Sequence, residues 1–213
     1  MSMDFSFGII TNGTVLYSVI QSIIDQNIPN FEIIIVGGVD VYSQSFITHI
    51  PFDESIHGGW ITRKKNLITE HAKYDNIVYM HDYYQLESGW YDGFKSFSGD
   101  WDVCMNIIQN ADRTRFRDWC VWDDPTICYP EGKHRIILPT YTYNQIKYMY
   151  ISGGYWIAKK TFMIDNPLDE TLKWGESEDV EWSKRIRDKC KYSMNTYSAV
   201  KTIKQKKLSA NLL

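Results

Sequence analysis

The stretch IVYMHDYYQLESGW, residues 77–90, holds the first group of side chains whose types could do chemistry. It begins as an apolar run and turns polar at His81, Asp82, Tyr83 and Tyr84, where the predicted strand reaches solvent. A carboxylate suits a hard divalent cation, and an imidazole can ligate Mn²⁺ or donate a hydrogen bond. His81 and Asp82 are therefore candidate ligand-facing residues. The alternatives without a ligand are a histidine that is satisfied at the end of a strand and an aspartate that stabilises a turn.

A second candidate group lies in LDETLKWGESEDVEWSKRIRDKC, residues 168–190. When residues from Glu178 onward are spaced about 100° apart on a helix, one face collects Asp179, Trp182, Ser183, Ile186 and Cys190. Glu176 and Glu178 are adequately explained as charges that complement the dipole at a helix N-terminus. Asp179 is not, because a carboxylate on a buried face needs a partner or a cleft.

The elements that must position these groups alternate between strand and helix. Strands are predicted at residues 5–11 and 31–36 and over NIVYM, and helices over TVLYSVIQSIIDQN and residues 60–72. Two strand-helix-strand passages in succession predict a parallel, doubly wound sheet, which binds ligands beyond the carboxyl ends of its strands. The loops at 11–13, 37–40 and 81–82 are therefore expected to face one crevice.

The second half has less regular patterning. Strands are predicted at 102–109 and 148–162 and a helix at about 177–190, with a long irregular connection over 110–147. Connections of that length are usually functional or mobile. We expect a mobile flap there, carrying Arg113, Arg115, Arg117 and Trp119, with a plain basic loop as the alternative.

Composition limits the class of protein. The 213 residues are 44% hydrophobic and 15% aromatic, enough for a full core, and the net charge of −3 argues against nucleic acid as a partner. The four cysteines show no metal spacing and are read as reduced thiols, and no apolar stretch is long enough to span a membrane. A single domain over 1–213 and a cytoplasmic location are expected. Its tail, KTIKQKKLSANLL, has no obvious closing element and is compatible with a longer polypeptide.

The order of the motifs TNG, RKKN, MHDYY, SGW, ISGGYWIAKKTF and WGESEDVEW resembles the GT-A nucleotide-sugar glycosyltransferases of the large family-2 type, over roughly residues 5–190. The resemblance implies a Rossmann-like, mostly parallel central sheet flanked by helices. It assigns nucleotide-sugar binding to residues 1–100, acceptor binding and catalysis to 101–195, and a tail to 196–213. A narrower resemblance, to viral glycosyltransferase domains linked to capsid glycosylation, implies the host cytoplasm.

The resemblance also implies roles for the two candidate groups. MHDYY stands where the family has an Asp-x-Asp motif for Mn²⁺ or Mg²⁺, which implies Asp82 and His81 as metal ligands, although one expected carboxylate is missing. No histidine follows His134, so the C-terminal histidine that some relatives add to the metal shell is absent. The pair Glu178-Asp179 stands at the catalytic position, with Asp179 as the general base of an inverting reaction. In a retaining reaction Asp179 would orient donor or acceptor instead.

The resemblance also implies roles in donor and acceptor binding for further residues, with less force. A role in donor binding is implied for Thr11, Asn12, Gly13, Asp40, Arg63 and Lys65. A helix cap for Asn12, a turn for Asp40 and a solvated helix face for Arg63 and Lys65 are the alternatives. A role near the acceptor or sugar is implied for Trp90, Gly153, Gly154 and Trp156, although core packing is the more frequent fate of such a Trp.

The resulting expectation is a metal-dependent glycosyltransferase. It would move a hexose-like sugar from a UDP-sugar to a hydroxyl of a glycan or glycoprotein. A sugar nucleotidyltransferase is one alternative, but FGIITNGTVLYS lacks the basic phosphate loop common in that class. A catalytically inactive nucleotide-sugar-binding module is the other, since it would fit the reduced metal motif.

Overall fold

The computed structural model describes residues 3–128 and 136–206 in full and residues 210–212 as backbone. The helices are α1 (Tyr17–Ile24), α2 (Ile61–His71), α3 (Trp90–Ser96), α4 (Lys160–Asp165) and α5 (Glu178–Ile186). The strands are β1 (Phe5–Ile10), β2 (Phe31–Val36), β3 (Ile47–Ile50), β4 (Asn76–His81), β5 (Tyr84–Leu86), β6 (Val103–Gln109), β7 (Cys120–Val121), β8 (Ile136–Leu138), β9 (Met149–Tyr150), β10 (Tyr155–Lys159), β11 (Tyr192–Thr202) and β12 (Ala210–Leu212).

The first half of the chain forms the predicted parallel sheet. β1 lies between β2 and β4 and runs parallel to both, and β3 continues the parallel set beyond β2. β1 is buried along its whole length, as expected for a parallel strand with both faces covered. The register places Ile10 beside both Val36 and His81. The loops that follow these strands therefore leave the sheet at the same end, and the predicted crevice is lined by the loops at 11–13 and 81–82 but not by the loop at 37–40.

The centre of the large sheet contains a strand that runs the other way. The strand order is β3-β2-β1-β4-β10-β6-β11-β5, and β10 pairs antiparallel with both β4 and β6. The amino end of β10 therefore meets the carboxyl end of β4, where the His81 N–H donates to the Gly154 carbonyl at 3.0 Å. This reversal brings the Gly153-Gly154 pair into the crevice. It also corrects the prediction of one strand over 148–162, because the chain turns between β9 and β10 and enters α4 at Lys160.

The stretch 110–147, predicted to be irregular, contributes β7 and β8 to a second sheet of order β12-β8-β7-β9. Arg115 Nε donates to Asp118 Oδ1 at 2.7 Å, and Asp118 is fully buried. Trp119 is 3% exposed and its ring stacks on Tyr192. The expectation of a mobile flap is therefore wrong for Arg115 and Trp119, which are held by packing and an ion pair. Residues 129–135 lie outside the described part of the chain.

The predicted boundary at residue 195 does not separate a tail from the domain. β11 runs through it to Thr202, beside β6 in the large sheet, and β12 pairs with β8 in the second sheet. All four cysteines lie in the described part of the chain and none forms a disulfide. Among the described helices, none has the length and apolar character needed to cross a bilayer.

Candidate active site

Two adjoining cavities open at the edge where β1 and β4 end. The β1–β4 cavity, of about 320 Å³, is lined by residues that include Thr11, Asn12, Lys64 and Asp82. The α5 cavity, of about 380 Å³, is lined by residues that include Gly153, Gly154, Glu178 and Asp179. The side chains that line both cavities are Ile61, His81, Tyr83 and Trp174. The two predicted acidic groups thus face neighbouring parts of one crevice.

Asp82 is tied to the loop that follows β1. Thr11 Oγ1 donates to Asp82 Oδ2 at 2.6 Å and accepts a hydrogen bond from the Gly13 N–H at 3.0 Å. The Lys64 ammonium, only 4% exposed, donates to the Thr11 carbonyl at 2.6 Å and pairs with Glu54. These contacts fix one oxygen of the carboxylate at the mouth of the β1–β4 cavity.

His81 is uncharged in this crevice at neutral pH. Burial first, and then the nearby charges of Lys65, Lys206 and Lys64, together lower its pKa to about 3. Its Nε2 atom is buried and has no hydrogen-bond partner within the described residues. A neutral imidazole nitrogen in this state is a suitable ligand for a divalent transition metal.

The donor set at this position is small. Within the described ranges, no group of three or more His, Cys, Asp or Glu side chains is arranged to hold a metal ion. Asp82 and His81 are of the types that fit Mn²⁺, but they supply only two protein ligands. A diphosphate and water would have to provide the remaining ligands.

Asp179 projects from the first turn of α5 and is held by two backbone donors. The Gly153 N–H donates to its Oδ2 at 3.2 Å, and its own neighbour, Val180, donates to Oδ1 at 2.9 Å. A carboxylate oxygen has more than one lone pair, so each oxygen keeps capacity for a further donor from a ligand. Asp179 is partly exposed to the α5 cavity, which agrees with the prediction that its carboxylate needs a cleft.

Both glycines of the ISGG motif lie in close contact with side chains of the crevice. A Cβ added at Gly153 would lie 3.0 Å from Asp179 Oδ2 and 3.1 Å from Glu178 Oε1. A Cβ added at Gly154 would lie 2.8 Å from the Tyr84 hydroxyl. The predicted placement of Gly153 and Gly154 beside the reactive groups therefore has a steric basis.

Glu178 is not the solvent-facing dipole residue that helix patterning suggested. It is 7% exposed, and its Oε1 lies 3.7 Å from the ammonium of Lys65, which also donates to the Gly153 carbonyl at 2.8 Å. Burial raises the pKa of Glu178 and lowers that of Lys65, and their mutual attraction opposes both shifts. Lys65 lines neither cavity, so in place of the predicted role in donor binding its ammonium contacts Gly153 and Glu178.

Arg63 also takes a structural role instead of the predicted donor contact. Its guanidinium donates to Glu70 at 2.6 Å and to Glu170 at 3.1 Å, and the residue lines neither cavity. Asp40 lies in the exposed loop after β2, outside both cavities, where it accepts a 3.4 Å hydrogen bond from the Tyr42 N–H. The turn alternative fits Asp40 better than a contact with a nucleotide base.

The two tryptophans predicted near the sugar belong to the core. Trp90 is fully buried, and its Nε1 donates to Asn106 at 3.0 Å and to the Tyr155 hydroxyl at 2.9 Å. Trp156 is fully buried as well and stacks on Tyr79 with ring centroids 4.1 Å apart. Neither ring can reach a sugar, so core packing corrects the role near the acceptor or sugar that was predicted for both.

Residues that sequence reasoning missed also line the crevice, namely Lys64, Tyr150 and Trp174, beside Tyr83 of the MHDYY motif and Arg117 of the predicted flap. Trp174 is 72% exposed, and its backbone N–H donates to the Gly59 carbonyl at 2.9 Å. A large aromatic in the polar segment KWGESED, directly before Glu178 and Asp179, was the available signal for it. Arg117 lies in the stretch 110–147, whose fold the sequence did not indicate, whereas Tyr150 lies in a predicted strand whose pairing the sequence did not indicate.

Comparison with known proteins supports the fold through structure alone. No family profile and no curated protein sequence matches the chain. The S. aureus TarS 1-349 structure superposes with a TM-score of 0.62 at 14% identity, covering 92% of this chain and 60% of that chain. The structure of the same protein in complex with UDP-GlcNAc gives 0.63 at 14%, covering 97% and 60%.

GalNAc-T7, crystallised with UDP, GalNAc and Mn²⁺, superposes with a TM-score of 0.63 at 12% identity, covering 95% of this chain and 44% of that chain. This chain therefore spans less than two thirds of the length of each of these structures. TarS and GalNAc-T7 are GT-A-type glycosyltransferases. At these identities the similarity establishes the architecture, and the chain has a GT-A-type α/β fold.

Proposed function

We propose that this protein transfers a hexose-like sugar from a UDP-sugar to a hydroxyl group of a glycan or glycoprotein. The observation that carries the proposal is the placement of Asp82 and Asp179 in adjoining cavities that share His81 and Tyr83 as walls. A transfer reaction needs such an arrangement, because the donor diphosphate and the incoming hydroxyl must approach the sugar from different sides.

The β1–β4 cavity would take the nucleotide diphosphate. The loop of Thr11 and Asn12 and the carboxylate of Asp82 lie at the carboxyl ends of parallel strands, the usual position for a nucleotide in an open α/β sheet. Asp82 and His81 would hold Mn²⁺ or Mg²⁺, which when bound neutralises charge that develops on the leaving diphosphate. The fold similarity to GalNAc-T7, whose structure contains UDP and Mn²⁺, supports this assignment.

The α5 cavity would take the acceptor. Asp179 is oriented by the Gly153 N–H at 3.2 Å and the Val180 N–H at 2.9 Å, so its carboxylate is fixed before an acceptor arrives. Asp179 would accept the proton of the acceptor hydroxyl as that oxygen attacks the anomeric carbon. This role fits an inverting reaction. Glu178, paired with Lys65, would hold the start of α5 in place instead of touching substrate.

Incubation with a panel of UDP-sugars, Mn²⁺ and simple glycan acceptors tests the proposal. Release of UDP with formation of a glycosylated product is the expected result, and NMR of the product's anomeric signal tests inversion. Pyrophosphate release would indicate a nucleotidyltransferase instead. Tight UDP-sugar binding without turnover, under conditions where acceptors are varied, would indicate an inactive binding module.

A further inference from the structure

The segment that follows β11 is held beside Tyr83 by hydrogen bonds at both of its ends. The Ile203 N–H donates to the Tyr83 carbonyl at 2.9 Å, and the Lys206 N–H donates to Asn110 Oδ1 at 2.9 Å. Gln205 Nε2 adds a 2.9 Å hydrogen bond to Asp112. Residues 203–206 are thus anchored at Tyr83, which lines both cavities, and at the turn that contains Asn110 and Asp112.

These anchors place the Lys206 ammonium over the ring of Tyr83, although Lys206 itself is not among the residues that line either cavity. It lies 3.9 Å from the centroid of the Tyr83 ring, and Tyr83 lines both cavities. Its charge also acts on the carboxylate of Asp82 and on the imidazole of His81. The ammonium is therefore close to the residues assigned to the donor diphosphate.

Lys206 differs from the other two lysines near His81 in what holds it. Lys64 pairs with Glu54, and Lys65 pairs with Glu178. No carboxylate of the described residues lies within 4.0 Å of the Lys206 ammonium, which rests on an aromatic face. Partial burial and, after it, the charge of Lys204 lower the pKa of Lys206, and the carboxylate of Asp82 opposes that shift. An anion bound next to the ammonium would favour its charged form.

We propose that Lys206 is a diphosphate-binding residue of the β1–β4 cavity, supplied by the segment after β11. The inference rests on the proposed function, because it requires a nucleoside diphosphate in that cavity. A lysine ammonium offers three donors to phosphate oxygens and acts as a point charge beside them. The MHDYY motif has only one acidic residue to hold a metal ion. The Lys206 ammonium would supply positive charge to the diphosphate from the protein itself.

Calorimetric titration with UDP and with uridine, in Mn²⁺ and in EDTA, tests the inference on the complete chain. Lys206→Met keeps most of the aliphatic stem over Tyr83 and removes the charge. Lys204→Met is the matched control, because Lys204 is exposed and its substitution changes the net charge by the same amount. Lys206→Arg tests rescue. Thermal unfolding of each variant checks that the fold is retained.

The Lys206→Met variant should bind UDP about tenfold or more weakly than wild type, the loss expected for a hydrogen bond to a charged group. Its affinity for uridine should be unchanged, Lys206→Arg should recover most of the UDP affinity, and Lys204→Met should stay within about twofold of wild type. Equal UDP affinity in wild type and Lys206→Met, or equal losses in both methionine variants, would overturn this inference alone. A wild-type protein that binds neither UDP nor UDP-sugars would overturn the proposed function with it.

Discussion

The two cavities of the crevice are built on different principles. The β1–β4 cavity forms where adjacent parallel strands end, and the register that aligns Ile10 with His81 is set by apolar strand pairing. The α5 cavity depends on the close approach of Gly153 to Asp179 and on the buried pair of Lys65 and Glu178. The first is a property of the sheet as a whole. The second rests on a few contacts between distant segments, so single substitutions should affect it most.

The largest expected effect is at Asp179. Asp179→Asn keeps the size of the side chain and removes its basicity, so turnover should fall by about 10²–10⁴ while UDP affinity stays unchanged. Steady-state rates and calorimetry measure the two quantities. Asp188→Asn, at an exposed position after the same helix, is the control. Near-normal turnover of the Asp179→Asn protein would rule out the base role.

The buried ion pair should govern stability on the α5 side. Lys65→Met leaves the Glu178 carboxylate buried and unpaired, which should lower the free energy of unfolding by about 3 kcal/mol. Chemical denaturation measures the change. The double variant Lys65→Met/Glu178→Gln should recover part of it, because the uncompensated charge is gone. If the double variant is no more stable than the single one, the pair does not act as described.

Gly153→Ala tests the close approach itself. The added methyl would lie about 3 Å from both carboxylates of α5 and should displace Asp179, and a displacement of that kind can cost about 10²-fold in turnover. UDP affinity should change little, because Gly153 does not line the β1–β4 cavity. Gly58→Ala is the matched control, since the nearest atom to its added Cβ is 3.9 Å away. Unaltered kinetics in Gly153→Ala would show that the contact is not needed.

Asp82→Ala should weaken UDP binding in the β1–β4 cavity, whereas Asp179→Asn and Gly153→Ala should leave UDP affinity nearly unchanged. UDP affinity in Mn²⁺ should fall about tenfold, and the difference between titrations in Mn²⁺ and in EDTA should shrink. The Thr11 hydroxyl also loses its 2.6 Å acceptor, so a small loss of stability should accompany the change. A variant whose UDP binding still depends fully on Mn²⁺ would place the metal elsewhere.

The smallest effect is expected at Arg63, which was predicted to bind donor and does not reach the crevice. Arg63→Gln removes partly exposed ion pairs to Glu70 and Glu170 and should cost no more than about 1 kcal/mol of stability. UDP affinity should equal that of wild type. A clear loss of UDP affinity would restore the donor role that its side-chain contacts argue against.

Sequence patterning predicted the alternation of strands and helices in the first half of the chain. β2 was placed at its observed residues, 31–36, because a run of apolar β-branched side chains has few other structures available to it. The same patterning indicated α1, although that helix is shorter than predicted and begins at Tyr17. The crevice followed from the rule for parallel strands, and it placed Thr11 and Asp82 together correctly.

The rest of the site depends on partners that no local pattern specifies. Lys64 and Lys65 lie in the polar stretch TRKKN, yet both are buried, because their ammonium groups bind carboxylates and backbone carbonyls far along the chain. The burial of Glu178 follows from the same pairing. The reversal of β10 was also hidden, since a strand's direction within a sheet does not appear in its own residues.

The backbone hydrogen bond from His81 to Gly154, 3.0 Å long, has a consequence for engineering. It joins the end of β4, beside Asp82, to the glycine pair that orients Asp179. One hydrogen bond of the sheet therefore links residues that line both cavities. The proposed nucleotide and acceptor sites are therefore not expected to be exchangeable as independent modules. A chimera that takes one half of the domain from another protein should keep this hydrogen bond. Without it, the two proposed binding sites would lose their fixed relative position.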